Sequence, residues 1–163
     1  MEVRAINTVV ERDIQEIIGD SHIFKAFQDK TILVTGATGL IGSMVARSLV
    51  AANDAYHLSL HVICHVRNIE KAHSMFEDIL NSQAITFVDR PLDSLTVACD
   101  YIMHGAAPTK SKYFVEHPVD TIRTSIHGTE RMLEMGKEQR ILGMVYLSSM
   151  EQYGVPYESG QVM

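Results

Sequence analysis

The sequence predicts an α/β protein built on a doubly wound parallel sheet, with a helical extension at its N-terminus. Two observations predict it: five short apolar runs alternate with helical patterns, and a glycine-rich turn joins the first run to the helix that follows. Strands that alternate with helices pair in parallel through right-handed crossovers. The ligand crevice of such a sheet lies at the carboxyl ends of the strands, where the winding reverses.

The predicted elements follow one another along the chain. Residues 8–27 carry apolar side chains at helical spacing, with a break at Gly19 and Asp20, and form the predicted extension, residues 1–29. Strands are predicted at 31–36, 58–66, 84–88, 99–107 and 142–149, and helices from near Gly39, over 69–81 and over about 115–138.

Composition narrows the function classes. The chain has 163 residues, of which 46% are hydrophobic and 21% charged, as in an ordinary globular domain. A net charge of -6 without a dense Lys/Arg run gives no reason to expect nucleic acid as a partner. We expect no membrane span, no signal peptide and a cytoplasmic location. Cys64 and Cys99 are expected to be core thiols, and the histidines near 57–65 lack the spacing of a metal site.

The glycine-rich turn is the segment TGATGLIG at 35–42. Its first glycine permits a sharp turn, its second a close backbone approach to a pyrophosphate, and its third close packing of helix on strand. The helix N-terminus then presents free N–H groups, which contribute roughly 0.3–2 kcal/mol per anionic contact. We therefore predict a dinucleotide-binding domain over residues 30–163; the alternative is a tight connection without a ligand. The predicted contacts are Gly36, Thr38, Gly39, Leu40, Ile41 and Gly42.

This turn resembles the TGxxGxxG motif of the extended short-chain dehydrogenase/reductase family, which includes nucleotide-sugar epimerases, dehydratases and decarboxylases. HGAAP at 104–108 is similar to the family's H-x-A-A/S-P turn, PVDTIRTSIHGT at 118–129 to its P-x-x-T-x-x-T-N-x-x-G-T helix, and SSMEQYG at 148–154 to its S-S/T-x-E-V-Y-G signature. The resemblance covers about residues 30–157 and is closest to UDP-glucuronate decarboxylases and dTDP-glucose 4,6-dehydratases. Ser125, Met150 and Gln152 depart from it, standing where Asn, the dehydratases' Asp and Val are usual.

The resemblance implies a Rossmann-like fold, a nucleotide-sugar substrate, a homodimer formed through the long helix, and reversible hydride transfer between sugar and nicotinamide. Ala106, Ala107, Pro108 and Ser148 would then contact the cofactor. Ser149 would hydrogen-bond the reacting hydroxyl, and Glu151 would act near the oxidised sugar. Alternatively, Ser149 is a serine that satisfies backbone groups at a strand end, and Glu151 is a solvated loop carboxylate.

The family's Y-x-x-x-K pair is incomplete in this sequence. Tyr153 is followed four residues later by Tyr157, and no lysine occurs after Lys137. An unassisted tyrosine titrates near pH 10, so it needs a neighbouring cation to serve as a base at neutral pH. We expect the pair to lie beyond Met163 and the 163-residue chain alone to be inactive. The competing hypothesis is a non-catalytic dinucleotide sensor of the same fold.

The end of the second strand bears on the choice of cofactor. NAD-specific proteins place an acid there for the ribose 2′-hydroxyl, whereas this sequence has Arg67. An arginine is able to pair with a 2′-phosphate. The resemblance implies NAD, and NADP stays open. Asp89, at the end of the third strand, is a weaker candidate for the adenine edge.

Overall fold

The computed structural model describes residues 8–109 and 111–149 and contains one parallel sheet. Its strands are β1 Thr31–Thr35, β2 His61–His65, β3 Ile85–Val88, β4 Tyr101–His104 and β5 Gly143–Tyr146, in the order β3-β2-β1-β4-β5. The helices are α1 Thr8–Ile17, α2 Ser21–Lys25, α3 Leu40–Tyr56, α4 Ile69–Met75, α5 Ser111–Glu116 and α6 Pro118–Gln139, with a short 3-10 helix at Leu92–Ser94. The predicted doubly wound architecture is confirmed.

The strand order puts the reversal of winding between β1 and β4. In the register of the sheet, Thr35 at the end of β1 is paired with His65 of β2 and with His104 of β4. The carboxyl ends of the three strands are therefore level at the switch point, where this fold binds its ligands.

Apolar side chains cover both faces of the sheet. Along β1, Ile32 and Val34 belong to the larger cluster, which includes residues of α1, α2, α3 and α4, whereas Leu33 belongs to a second cluster with Met132 and Met135 of α6. Successive side chains of a strand point to opposite faces, so the continuous apolar run of β1 is what a strand buried on both sides requires.

The N-terminal extension packs on α3. Phe24 of α2 stacks on Tyr56 with ring centroids 6.5 Å apart, and the Tyr56 hydroxyl donates to the carbonyl of Ile18. The break before α2 is also confirmed, since the Asp20 side chain accepts from the His22 N–H and caps the second helix. The division at residues 29 and 30 stays a prediction.

On the β2 side of the sheet, the start of β2 and the end of α4 differ from the predicted boundaries. The predicted strand 58–66 begins only at His61, because His57 and Ser59 have φ values of 52° and 53°, which break an extended run. The helix predicted over 69–81 ends at Met75. Turns follow, in which the Ile79 N–H donates to the carbonyl of Phe76, a fully buried residue.

The helix predicted over 115–138 is in fact two helices. α5 ends at Glu116, and α6 begins with Pro118 in its first turn, a position that suits proline because the helix needs no N–H there. β4 ends at His104 instead of 107. The Gly105 N–H still donates to the Thr35 carbonyl, but the Ala106 N–H donates to the Thr35 hydroxyl instead of to a backbone carbonyl of β1. β5 is likewise shorter than predicted. No helix in the described part of the chain is long and apolar enough to cross a bilayer.

Candidate functional site

The glycine-rich turn brings α3 very close to the ends of β1 and β4. Gly36 has φ +71°, and a Cβ on it would lie 2.5 Å from the carbonyl oxygen of Gly105. A Cβ on Gly42 would lie 2.3 Å from the oxygen of Gly36. Both distances are far below van der Waals contact, so the turn and the helix can approach this closely only with glycine at both positions.

The first turn of α3 faces the same edge of the sheet. Gly39 is its N-cap and provides no side-chain cap. The Ser43 N–H donates to the Gly39 oxygen at 2.9 Å, so the N–H groups of Leu40, Ile41 and Gly42 lie ahead of the first helical bond. The Leu40 side chain is 86% exposed and that of Ile41 54%. A helix end of this kind, with uncapped N–H groups and the positive end of the dipole, binds anions such as phosphate.

Thr35 ties the turn after β4 to β1. Its Oγ1 accepts from the N–H groups of Gly105 and Ala106, both at 3.2 Å. Ala106 and Pro108 are half-buried and Ala107 is exposed. The three residues thus form a small-residue surface directly beside the glycine-rich turn, where the sequence predicted contact with the cofactor.

A buried histidine completes this network. The Thr129 hydroxyl donates to the Ser125 carbonyl at 2.7 Å, so it accepts from His104 Nε2, 3.2 Å away. His104 Nδ1 then accepts from the Thr35 hydroxyl. Burial, with a smaller effect of His65, lowers the pKa of His104 to about 4. The imidazole is therefore neutral and fixed in one tautomer.

The β2 side of the crevice is cationic. Thr38, Arg67, Asn68 and Lys71 line a cavity of about 260 Å³. The Asn68 side chain caps α4 by accepting from the Lys71 N–H at 2.6 Å. The cavity therefore joins the glycine-rich turn to the end of β2.

Asp89 lies on the same edge, in a different environment. Burial lowers the pKa of His65; the Arg90 carbonyl, bonded to its Nε2 at 2.8 Å, and the Asp89 carboxylate raise it, whereas Arg67 lowers it. Arg67 and Asp89 are thus both close enough to influence the same imidazole. Asp89 is exposed and does not line the cationic cavity.

The predicted catalytic residues are only partly described. Ser148 and Ser149 are exposed and follow Leu147, whose N–H donates to the His104 carbonyl at 2.9 Å. Both serines thus follow β5 at the carboxyl edge of the sheet. Glu151 lies outside the described residues, as does Tyr153. Their roles stay predictions.

Sequence reasoning missed two features of this edge. In the sequence, Thr35 and His104 are recognisable only as members of two separate motifs, although their side chains form a hydrogen bond to each other in the interior. Lys71 was not considered, although its spacing of four residues from Arg67, across the start of a helix, was a usable signal.

A parallel sheet of this order, with a glycine-rich turn at its switch point, defines the class of doubly wound dinucleotide-binding folds. The sequence profile of the NAD dependent epimerase/dehydratase family matches residues 32–162. The chain belongs to this family, and the resemblance seen in its motifs is confirmed.

Individual relatives agree with this assignment. The chain is 31% identical over 129 residues to a dTDP-glucose 4,6-dehydratase from Streptomyces antibioticus, and 24% identical over 132 residues to a UDP-glucose 4-epimerase from Rickettsia prowazekii, with 76% of the chain covered in each case. Its fold is similar to that of UDP-glucuronic acid 4-epimerase from Bacillus cereus, solved in complex with UDP-glucuronic acid and NAD, with a TM-score of 0.66, 22% identity and 82% of the chain covered. The chain spans only 38%, 37% and 44% of these three proteins.

Proposed function

We propose that this chain binds a nicotinamide dinucleotide across the carboxyl edge of its sheet, as the cofactor-binding part of an enzyme that modifies nucleotide sugars. The observation that carries the proposal is the uncapped first turn of α3. It lies beside the close contact between Gly36, after β1, and Gly105, after β4. The chain's membership of an NAD dependent family supports it. So do two solved proteins of similar fold, each of which is in complex with NAD and a UDP-sugar.

The residues of the turn fit a pyrophosphate. The N–H groups of Leu40 and Ile41 would donate to its oxygens, and the absence of a side chain on Gly39 leaves room for the approach. A Cβ on Gly39 would lie 3.1 Å from the Gly36 oxygen, so alanine fits only tightly at this position. Thr38 extends the phosphate site toward the cationic cavity.

The reaction we propose is reversible hydride transfer between the sugar and the nicotinamide, which the cofactor supplies when bound. Ala106, Ala107, Pro108 and Ser148 would flank its ribose and nicotinamide. Ser149 would hydrogen-bond the hydroxyl that loses its proton, and Glu151 would act near the oxidised carbon. Their order along the edge of the sheet supports these roles, because the segment containing Pro108 follows β4 and both serines follow β5.

The catalytic base is not provided by a Y-x-x-x-K pair within this sequence, because residue 157 is tyrosine. We therefore propose that a longer protein supplies the pair and that the 163-residue chain binds cofactor without turnover. The same observation favours the second candidate, a dinucleotide sensor without catalysis. Turnover of nucleotide sugar by a protein containing this chain, and its loss in Ser149→Ala, would decide for the enzyme.

The test of cofactor binding is calorimetry of the chain with NAD and with NADP. Gly39→Ala should weaken the binding of whichever dinucleotide is bound by at least about tenfold, because the new methyl group lies where the phosphates must approach. Gly19→Ala is the matched control: its Cβ would lie 3.2 Å from the Glu16 oxygen, a similar fit far from the site, and binding should be unchanged. Failure of the wild-type chain to bind either dinucleotide would refute the proposal.

We also propose that α6 mediates a homodimer. Val119, Ile122, Ile126 and Leu133 recur at spacings of three, four and seven residues along one helix face, and each is 56–59% exposed. Met132 and Met135 of the same helix are fully buried in the core, so this exposed stripe is a second apolar face. The nucleotide sugar as substrate and the cytoplasmic location stay predictions.

A further inference from the structure

A second cavity, of about 410 Å³, lies between the N-terminal extension and α3. Ile17 of α1 and Phe24 of α2 form one wall, and α3 forms the other from Leu40 to Leu49. A volume between about 300 and 1,000 Å³ with a mainly apolar lining is typical of small-molecule sites. Ile17 and Phe24 precede residue 32, where the match to the family profile begins, so the cavity depends on a part of this chain outside the matched segment.

One polar side chain, that of Ser48, lines this cavity among apolar ones. Ser48 is 4% exposed, and its Oγ has no hydrogen-bond partner in the part of the chain that the structure describes. A buried hydroxyl without a partner is unfavourable, because it has given up its hydrogen bonds to water and has gained none in return. A ligand with one polar atom beside Ser48 Oγ would remove this penalty.

The charge and shape of the lining indicate the class of ligand. No charged side chain lines the cavity, and a buried ion without a counter-charge is strongly unfavourable, so the ligand is uncharged. The wall from Leu40 to Leu49 is about 13 Å long at the 1.5 Å rise of a helix, which is the length of an aliphatic chain of about eight to ten carbons. This wall is exposed at Leu40 and buried at Ser48 and Leu49, so the hydrogen-bonding group lies at the closed end.

We propose that this cavity binds an uncharged aliphatic alcohol, whose hydroxyl forms a hydrogen bond with Ser48 Oγ and whose chain lies along α3. A protein partner fits less well, because an interface of standard size takes roughly 20–30 residues from each side, whereas eight residues line the cavity. Leu40 and Ile41 belong both to the cavity and to the first turn of α3, so the alcohol would lie beside the proposed phosphate site. The alcohol site does not require a bound dinucleotide, since it uses none of the N–H groups of that turn.

Calorimetry of the full 163-residue chain with 1-octanol and with octanoate tests the proposal. Octanol should bind saturably at one site, and octanoate, which has the same number of carbons, at least about tenfold more weakly, because its charge would have no partner. Ser48→Ala removes the hydroxyl and should weaken the binding of octanol by about three- to tenfold. Ser74→Ala, at an exposed serine of α4, is the matched control and should leave the affinity for octanol unchanged.

A second variant tests the position of the site. Val45 lines the cavity and is half-buried, so Val45→Phe should fill the space and abolish the binding of octanol, with melting curves to establish that each variant is folded. Unchanged affinity in Ser48→Ala, octanoate that binds as tightly as octanol, or octanol that still binds to folded Val45→Phe would each overturn the proposal. Absence of saturable octanol binding by the wild-type chain would also refute it, while leaving the proposed binding of a dinucleotide intact.

Discussion

The hydroxyl of Thr35 lies 2.6 Å from Nδ1 of His104, a buried contact between side chains 69 residues apart in the sequence. Thr35 directly precedes Gly36 of the glycine-rich turn, and His104 directly precedes Gly105 of the turn after β4. The pair therefore fixes the two turns to each other, at the point where Gly36 and Gly105 are in closest contact.

Replacing Thr35 with valine keeps the shape of the side chain and removes its hydrogen bonds. The Ala106 N–H and the His104 ring would lose their partner, whereas the Gly105 N–H keeps its bond to the Thr35 carbonyl, and unsatisfied groups of this kind cost about 1–3 kcal/mol each. We expect Thr35→Val to lower the free energy of unfolding by about 2–4 kcal/mol, measured by urea denaturation.

Thr86→Val is the matched control for this change. Thr86 Oγ1 lies 3.0 Å from His61 Nε2, a threonine–histidine pair exposed to solvent, where water replaces the lost bond. Its loss should cost less than about 0.5 kcal/mol. Equal destabilisation by the two variants would show that the Thr35 network adds nothing through burial.

The low pKa of His104 makes the stability of the fold depend on pH. In the unfolded chain the His104 imidazole takes up its proton near pH 6.5, whereas in the folded chain it does so only near pH 4. The contribution of neutral His104 is thus complete above pH 6.5 and is lost as the pH falls toward 4, by up to about 3 kcal/mol. Urea unfolding at pH 7, 6, 5 and 4 measures this loss.

Burial also lowers the pKa of His65, so the effect of His104 is isolated by comparison with a variant. His104→Asn offers Thr35 an acceptor and has no charge to gain, and it should flatten the dependence on pH between 6.5 and 4. His22→Asn, at an exposed histidine, should retain the wild-type slope. If His104→Asn has the wild-type slope, the imidazole is not the group that couples stability to pH.

How much of this could be predicted from sequence depended on how local each signal was. The turn at 35–42 and the alternation of strands and helices are local patterns, and they predicted the sheet and the position of its crevice. The predicted start of β2 was wrong because Leu58 and Leu60 extend the apolar run toward the N-terminus. Their neighbours His57 and Ser59 adopt left-handed conformations, which end the strand at His61. No local pattern reveals that a residue will adopt such a conformation when it is neither glycine nor asparagine.

The residues of the candidate site were likewise predictable only where the signal was local. Gly36 and Gly42 were predictable because backbone approach leaves only glycine. The bond between Thr35 and His104 was not, since it depends on the pairing of β1 with β4 and on the position of Thr129 in α6. The cavity lined by Thr38, Arg67, Asn68 and Lys71 could not be predicted either. It forms because the turn after β1 lies close to the start of α4, and the spacing of residues in the sequence does not reveal that proximity.

The exposed stripe of α6 yields the last prediction. If a second copy covers Ile122 and Ile126, a lysine at position 126 would bring two like charges into the apolar interface and remove them from water, which is costly. We therefore expect wild-type protein to sediment as a dimer and Ile126→Lys as a monomer with a nearly unchanged urea midpoint. Ile23→Lys is the matched control, since Ile23 is 60% exposed on α2 and Ile126 is 58% exposed on α6. A wild-type chain that remains monomeric up to high concentration, or a dimer lost equally in both variants, would contradict the assignment of this face as the dimer interface.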